Sequence, residues 1–135
     1  MQQSIECDVL VVGGGPAGTA AAITLARSGR SVTIIDKAEF PRDKCCGDGL
    51  TTLALRELED LQFRPSEVTD WFEVRGAALR SPSGHDVEVP LDGPGVYAAV
   101  APRLQLDNAL LELARNEGAD IRDGHGFHHV IDHGT

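Results

Sequence analysis

Basic residues are scarce in this 135-residue chain: 12 lysines and arginines stand against 21 aspartates and glutamates, a formal net charge of −9. A surface that follows a phosphate backbone needs a basic stripe. None is visible, so a nucleic-acid partner is excluded, and the acidic balance is read as a solubility feature. Long hydrophobic runs are also missing. None approaches the ~18 consecutive apolar residues of a membrane span. The first apolar stretch, Val9 to Val12, follows Glu6 and Asp8 and ends in glycine, without the basic start and cleavage site of a secretory signal. Cysteine is sparse as well. Cys7, Cys45 and Cys46 are odd in number and two of them are adjacent, an arrangement that disulfide geometry disfavours. Together these absences predict a cytosolic protein without a disulfide framework. The apolar fraction of 41% is ordinary, enough for one domain around one core.

The pattern of elements is α/β. Residues 5–12 read as a strand with both faces apolar toward its end, the habit of a parallel strand covered on both sides. Pro16 to Ser28 reads as a helix, with proline in its first turn and Gly29 past its end. Residues 31–36 (SVTIID) are β-branched and strand-like. Strand, helix and strand make a crossover unit that pairs parallel strands. Thr51 or Thr52 is placed to cap a further helix carrying Leu55, Leu58 and Leu61. Residues 71–80 and 85–91 read as a hairpin across the turn SPSG, and 96–100 (VYAAV) as a short strand. Pro102 opens an amphipathic helix with Leu106, Ala109, Leu110, Leu113 and Ala114 on one face. Strands are expected at 119–122 and again from 127 to 131.

Between the first strand and helix lies Gly13-Gly14-Gly15-Pro16-Ala17-Gly18, which contains G-x-G-x-x-G at Gly13, Gly15 and Gly18. Alone the motif is weak; after a strand and before a helix it predicts a dinucleotide site. Asp36, 18 residues beyond Gly18, stands near the ~20-residue spacing of the acidic ribose partner. Each residue has its own reason. Gly13 permits the tight turn, Gly15 lets backbone approach a pyrophosphate, and Gly18 lets the helix pack closely. The helix N-terminus supplies free N–H groups and partial positive charge. Asp36 accepts from ribose hydroxyls and would repel a 2′-phosphate, so the nucleotide held here is not NADP. FAD and NAD share this ADP grip.

Residues 40–50 (FPRDKCCGDGL) have no strand or helix pattern of their own. Adjacent Cys45 and Cys46 do not make a zinc site, and no resolving cysteine stands at C-x-x-C spacing; no metal is assigned. His125, His128, His129 and His133 cluster near the end, but neighbours in a strand point to opposite faces, and a solvated edge is the reading. Trp71 and Phe72 either pack in the hairpin or line a substrate pocket.

The segment VVGGGPAGTAAAITLARSGRSVTIIDK followed by FPRDKCCGDGL resembles the N-terminus of the geranylgeranyl reductase family. These are FAD-dependent oxidoreductases of the group typified by p-hydroxybenzoate hydroxylase. Pro41, Arg42, Lys44, Cys46 and Gly47 meet the family's P-R-x-K-x-C-G pattern. PRLQLDNALLELARNEGA, 102–119, matches its R-x-x-L/F-D-x-x-L segment. The resemblance implies a Rossmann-like FAD/NAD(P)-binding fold, with a β-hairpin insertion at 70–95 that belongs to a substrate-domain sheet. It implies that Gly13, Gly15, Pro16, Ala17, Gly18, Asp36 and Lys37 hold the ADP half of FAD, with Arg42 and Arg103 as flavin-contacting arginines. Cys46 and Gly47 would lie close to the isoalloxazine ring and the pocket for the reducible substrate, the catalytic side of the chain.

Flavoproteins of this group carry a later strand ending in Gly-Asp. Gly47-Asp48 has the letters without a preceding strand, so residues 1–135 are expected to form a single, incomplete FAD-binding domain, the first part of a longer enzyme and inactive by itself. The implied reaction is reduction of isoprenoid C=C bonds by hydride from reduced FAD, with NAD(P)H or another reductant as electron donor. The lipid substrate implies at most peripheral membrane association. Two readings compete: a flavin monooxygenase or halogenase on the same scaffold, and a non-catalytic nucleotide-binding module.

Overall fold

The computed structural model describes residues 4–91, 93–95, 98–132 and 134. In chain order the elements are β1 (Val9–Val12), α1 (Pro16–Arg27), β2 (Val32–Ile35), β3 (Gly49–Leu50), α2 (Thr52–Asp60), a 3-10 turn at Pro65–Glu67, β4 (Phe72–Val74), β5 (Gly76–Arg80), β6 (Asp86–Pro90), β7 (Ala98–Val100), α3 (Arg103–Asn116) and β8 (Asp120–Arg122). They fall into two compact units, residues 1–42 with 107–135, and residues 43–106. Among the described residues no helix is long and apolar enough to cross a membrane.

The first unit holds a parallel three-stranded sheet in the order β1-β2-β8, with Val9 opposite Val32 and Ile34 opposite Ile121. This is the parallel α/β arrangement that the crossover pattern predicts. Ala22 and Ile23 of α1, Val32 and Ile34 of β2, Leu110, Leu111 and Ala114 of α3, and Ala119 are its buried apolar residues. Helix α1 stops where predicted. Gly29 takes a φ of +82°, and the Arg30 N–H returns to Leu25 O at 3.1 Å, the closing pattern of a left-handed glycine cap.

Strand β1 departs from expectation in two ways. It begins at Val9 rather than residue 5, because the side chains of Asp8 and Ser31 bond each other and each other's backbone: Ser31 N–H donates to Asp8 Oδ2 and Asp8 N–H to Ser31 Oγ, both at 2.8 Å. The Asp8 N–H is shared with Ser31 O at 3.0 Å, so polar side chains compete there with the ladder. Leu10 and Val12 stay 48% and 55% exposed, so the expected two-sided burial is not supplied by the described residues.

The second unit pairs β3, β7 and β4 in an antiparallel sheet of order β3-β7-β4, beside a separate β5-β6 hairpin. Thr51 caps α2 by accepting from Ala54 N–H at 3.3 Å. Leu55, Phe63, Val68, Ala99, Ala101 and Leu106 are buried. The strand expected over 71–80 is two strands. Phe72–Val74 pairs with Ala98–Val100, while Gly76–Arg80 pairs with Asp86–Pro90, and Arg75 is the joint between two different partners. Of the strand expected at 96–100, Ala98–Val100 is present; Val96 and Tyr97 lie outside the described residues. The strand expected at 127–131 is absent, and Phe127, Val130 and Ile131 are exposed. Its β-propensity meets no pairing strand, and propensity without a ladder does not make a strand.

Candidate functional site

The turn after β1 is built on glycine. Gly13 has a φ of +108°, where a side chain is strained. Its N–H still donates to Ile35 O at 2.8 Å, carrying the β1–β2 ladder into the turn. Gly15 then caps α1 in extended backbone, without a side-chain cap. Pro16 has no N–H to offer. The buried Thr19 turns back, its N–H and its hydroxyl both donating to Gly15 O at 2.9 Å. The N–H groups of Gly15, Ala17 and Gly18 donate to no acceptor among the described residues. Those of Ala17 and Gly18 belong to the first turn of α1, at the positive end of its dipole. Gly18 sets how closely the helix approaches: a Cβ there would stand 1.9 Å from Gly13 O and 3.2 Å from Val11 Cγ1.

Asp36 follows β2 and faces this turn. Its Oδ2 accepts from Gly14 N–H at 2.8 Å and its Oδ1 from Ala38 N–H at 2.9 Å. A carboxylate offers about four acceptor positions, so both oxygens keep capacity for hydroxyl donors. Lys37, beside it, is exposed. Open N–H groups at a helix start next to a carboxylate suit a ligand with an anionic middle and a hydroxylated sugar.

Gly14, Phe40, Arg42 and Asp107 of this unit make contacts that the glycine motif does not reveal. Gly14 is buried, and a Cβ on it would come within 3.2 Å of Leu111 Cδ1 and of Phe40 Cζ. The Arg42 guanidinium lies over the Phe40 ring, 4.7 Å from its centroid. Its Nη1 donates to Asp107 Oδ2 at 2.7 Å, and the Asp107 side chain is 0% exposed. The available signal was an aspartate set beside the apolar stripe of α3, one residue after Leu106 and four before Leu111.

In the second unit, described by itself, Cys46, Gly47 and Arg103 also have defined surroundings. The backbone N–H of Asp48, then the Arg103 side chain, hydrogen-bond the Cys46 sulfur and hold its thiol below the ordinary thiol range. Asp48 has a φ of +55°, and its carbonyl accepts from Ala101 N–H at 2.9 Å. Cys45, Cys46 and Gly47 are exposed. Trp71 packs on Phe63, with ring centroids 6.5 Å apart, and lines an apolar cavity of about 140 Å³ with Leu55, Leu58 and Pro65. Phe72 is 75% exposed and lies outside that lining. Among the described residues no three His, Cys, Asp or Glu side chains gather as metal ligands. His133 lies outside the described residues.

Residues 6–135 match the model of a family described as an FAD binding domain. The chain belongs to that FAD-binding family. Among curated proteins it is 45% identical, over 124 residues, to a menaquinone reductase of Mycolicibacterium smegmatis, covering 88% of this chain and 29% of that protein. It is 36% identical over 118 residues to digeranylgeranylglycerophospholipid reductase 1 of Methanopyrus kandleri, covering 87% and 29%. A solved geranylgeranyl bacteriochlorophyll reductase-like protein from Thermoplasma acidophilum superposes with a TM-score of 0.73 at 33% identity, over 87% of this chain and 30% of that one. The chain thus spans about three-tenths of the length of these relatives. The family resemblance read from the glycine loop, the PRDKCCG segment and the 102–119 segment is borne out: this is an FAD-binding domain of flavin-dependent oxidoreductases, with a Rossmann-like fold and geranylgeranyl reductase-like homologues.

The FAD-binding domain's own residues fit the cofactor. Gly18 lets the α1 start close on the glycine turn, the loop N–H groups are open, and Asp36 has acceptor capacity beside them.

Proposed function

We propose that this domain holds FAD in a reductase that saturates carbon–carbon double bonds of an isoprenoid chain. The observation that carries the cofactor half is the Asp36–Gly14 hydrogen bond, which sets the ribose-type acceptor against the glycine turn. In this reading Gly13, Gly15, Pro16, Ala17 and Gly18 form the diphosphate cradle, where α1's free N–H groups face the anion. Asp36 accepts from the adenosine ribose, and Lys37 adds an exposed cation at its side. Arg42 supplies a planar guanidinium to phosphate or ribityl oxygens. Cys46, Gly47 and Arg103 border the flavin ring and the substrate. The support for these last three is the family resemblance and the Arg103–Cys46 hydrogen bond.

Held by these residues and reduced by NAD(P)H or another reductant, FAD would supply the hydride for one alkene carbon, the other taking a proton. The chain's part is to orient the cofactor and to keep the small residues Gly47 and Gly49 where a flat ring approaches backbone. The substrate half rests on the relatives. Menaquinone and digeranylgeranyl lipids share one feature, a polyprenyl chain with repeated double bonds. Segment 70–95 is assigned to a substrate-binding sheet, supported by the exposure of Leu79, Val87 and Val89 on its hairpin. A polyprenyl substrate brings the whole enzyme to the membrane surface peripherally.

The test is incubation of the reduced flavoprotein with menaquinone, with menadione (the same ring without the chain) and with a digeranylgeranyl lipid, followed by mass spectrometry. The reading expects a gain of two hydrogens located in a prenyl chain. Reduction of menadione and menaquinone rings alike, with every chain left intact, would overturn it. Substrate-dependent oxygen consumption would favour a monooxygenase.

A further inference from the structure

The geometry points to Asp107 as a positioning residue for the nucleotide loop, acting through Arg42. This rests on the reading that the loop holds a diphosphate. Asp107 is the one carboxylate among the buried residues described. It pairs with Arg42 at 2.7 Å, and the Arg42 side chain is itself only 16% exposed. A buried ion pair is a poor device for stability, because an apolar pair of similar size usually serves at least as well. What such a pair does supply is a fixed direction: Arg42 Nη1 donates to Asp107 Oδ2, a charge-assisted bond that orients the planar guanidinium.

The direction is fixed from a second side. The Arg42 guanidinium stacks on Phe40 at 4.7 Å. The edge of the same ring lies where any Cβ on Gly14 would meet it, at 3.2 and 3.3 Å. Gly14 in turn donates its N–H to Asp36. One connected path therefore runs from α3 through Asp107, Arg42, Phe40 and Gly14 to Asp36. Arg42 is thereby a cation whose orientation is set before any ligand arrives. A preset charge loses less side-chain freedom on binding than a mobile one. Asp107 touches no ligand in this account; it acts by holding Arg42 beside the loop.

The test is calorimetric titration of the protein, stripped of flavin, with ADP and with adenosine, for wild type and Asp107→Asn. The asparagine keeps size and an acceptor oxygen but removes the charge that holds the fork. ADP affinity is expected to fall about tenfold, the loss of a well-placed charged contact, while adenosine affinity stays within about twofold and the far-UV spectrum is unchanged. Equal losses for ADP and adenosine would make Asp107 a support of the fold alone and overturn the inference, as would no loss for either. Should Asp107→Asn fail to fold, Arg42→Lys carries the same comparison, since lysine keeps charge without the fork: a selective loss for ADP supports the inference, and a loss shared with adenosine, or none, overturns it. A wild-type protein that binds neither ADP nor FAD defeats the FAD-site reading itself, a different outcome from wild-type binding that Asp107→Asn leaves untouched.

Discussion

Replacing Gly18 by alanine sets two physical rules against each other, and the structure decides the sign. Helix propensity alone favours the change, since alanine is better than glycine in a helix interior by about 1 kcal/mol. The new methyl, however, would stand 1.9 Å from Gly13 O and 3.1 Å from Gly13 C. Both atoms are backbone, so no side chain can swing aside. Reaching an ordinary separation near 3.4 Å requires α1 and the turn to part by about 1.5 Å, in an interior packed as densely as a crystal. Overpacking of this kind typically costs about 1–3 kcal/mol, and a backbone clash belongs at the upper end. The net effect is destabilisation by about 2 kcal/mol, a fall in melting temperature of roughly 6–10 °C for a chain of this size. The same retreat moves the open N–H groups of the α1 start away from Asp36, so FAD affinity is expected to fall about tenfold, the loss of a well-placed charge-assisted contact. Differential scanning calorimetry and flavin titration read both effects. A Gly18→Ala protein as stable as wild type, or more so, would refute the reasoning.

Two further substitutions probe other parts of the site. Asp36→Ala leaves the N–H groups of Gly14 and Ala38 without their acceptor, which costs about 1–3 kcal/mol where such a group is buried; adenosine affinity is expected to drop with it, and equal affinities by calorimetry would remove Asp36 from the site. The Cys46 thiol is held below the ordinary range by Asp48 N–H and then Arg103, so its thiolate fraction, and its alkylation rate, should saturate at lower pH than those of a free peptide thiol. Arg103→Met should shift that pH profile of Cys46 labelling, followed by mass spectrometry, upward; superimposable profiles would contradict the contact.

What the sequence made legible was governed by neighbours in the chain. The α1 boundaries follow from Pro16 and Gly29, the α2 cap from Thr51, and the placing of Asp36 against the glycine turn from its spacing to Gly18. What stayed hidden depends on which distant segments meet. The break at Arg75 exists because Phe72–Val74 and Gly76–Arg80 have different pairing partners, a choice that no local pattern contains. Gly14 occupies a free position of the motif, yet Phe40 and Leu111 close on it from far along the chain. Asp107 stood in the 102–119 segment without a role of its own and is buried with Arg42. Residues 127–131 show the converse: strand-like composition without a strand, because a ladder needs a second member.

The most direct test of the glycine loop as a diphosphate cradle is calorimetric titration of wild type and Gly15→Val with ADP. Gly15 has φ −77° and ψ −177°, extended backbone that valine adopts readily, so the variant is expected to fold. In this account its branched side chain blocks the approach of a diphosphate to the loop. The account predicts a binding isotherm for wild type and none for the folded variant; equal ADP affinities in the two proteins would contradict it.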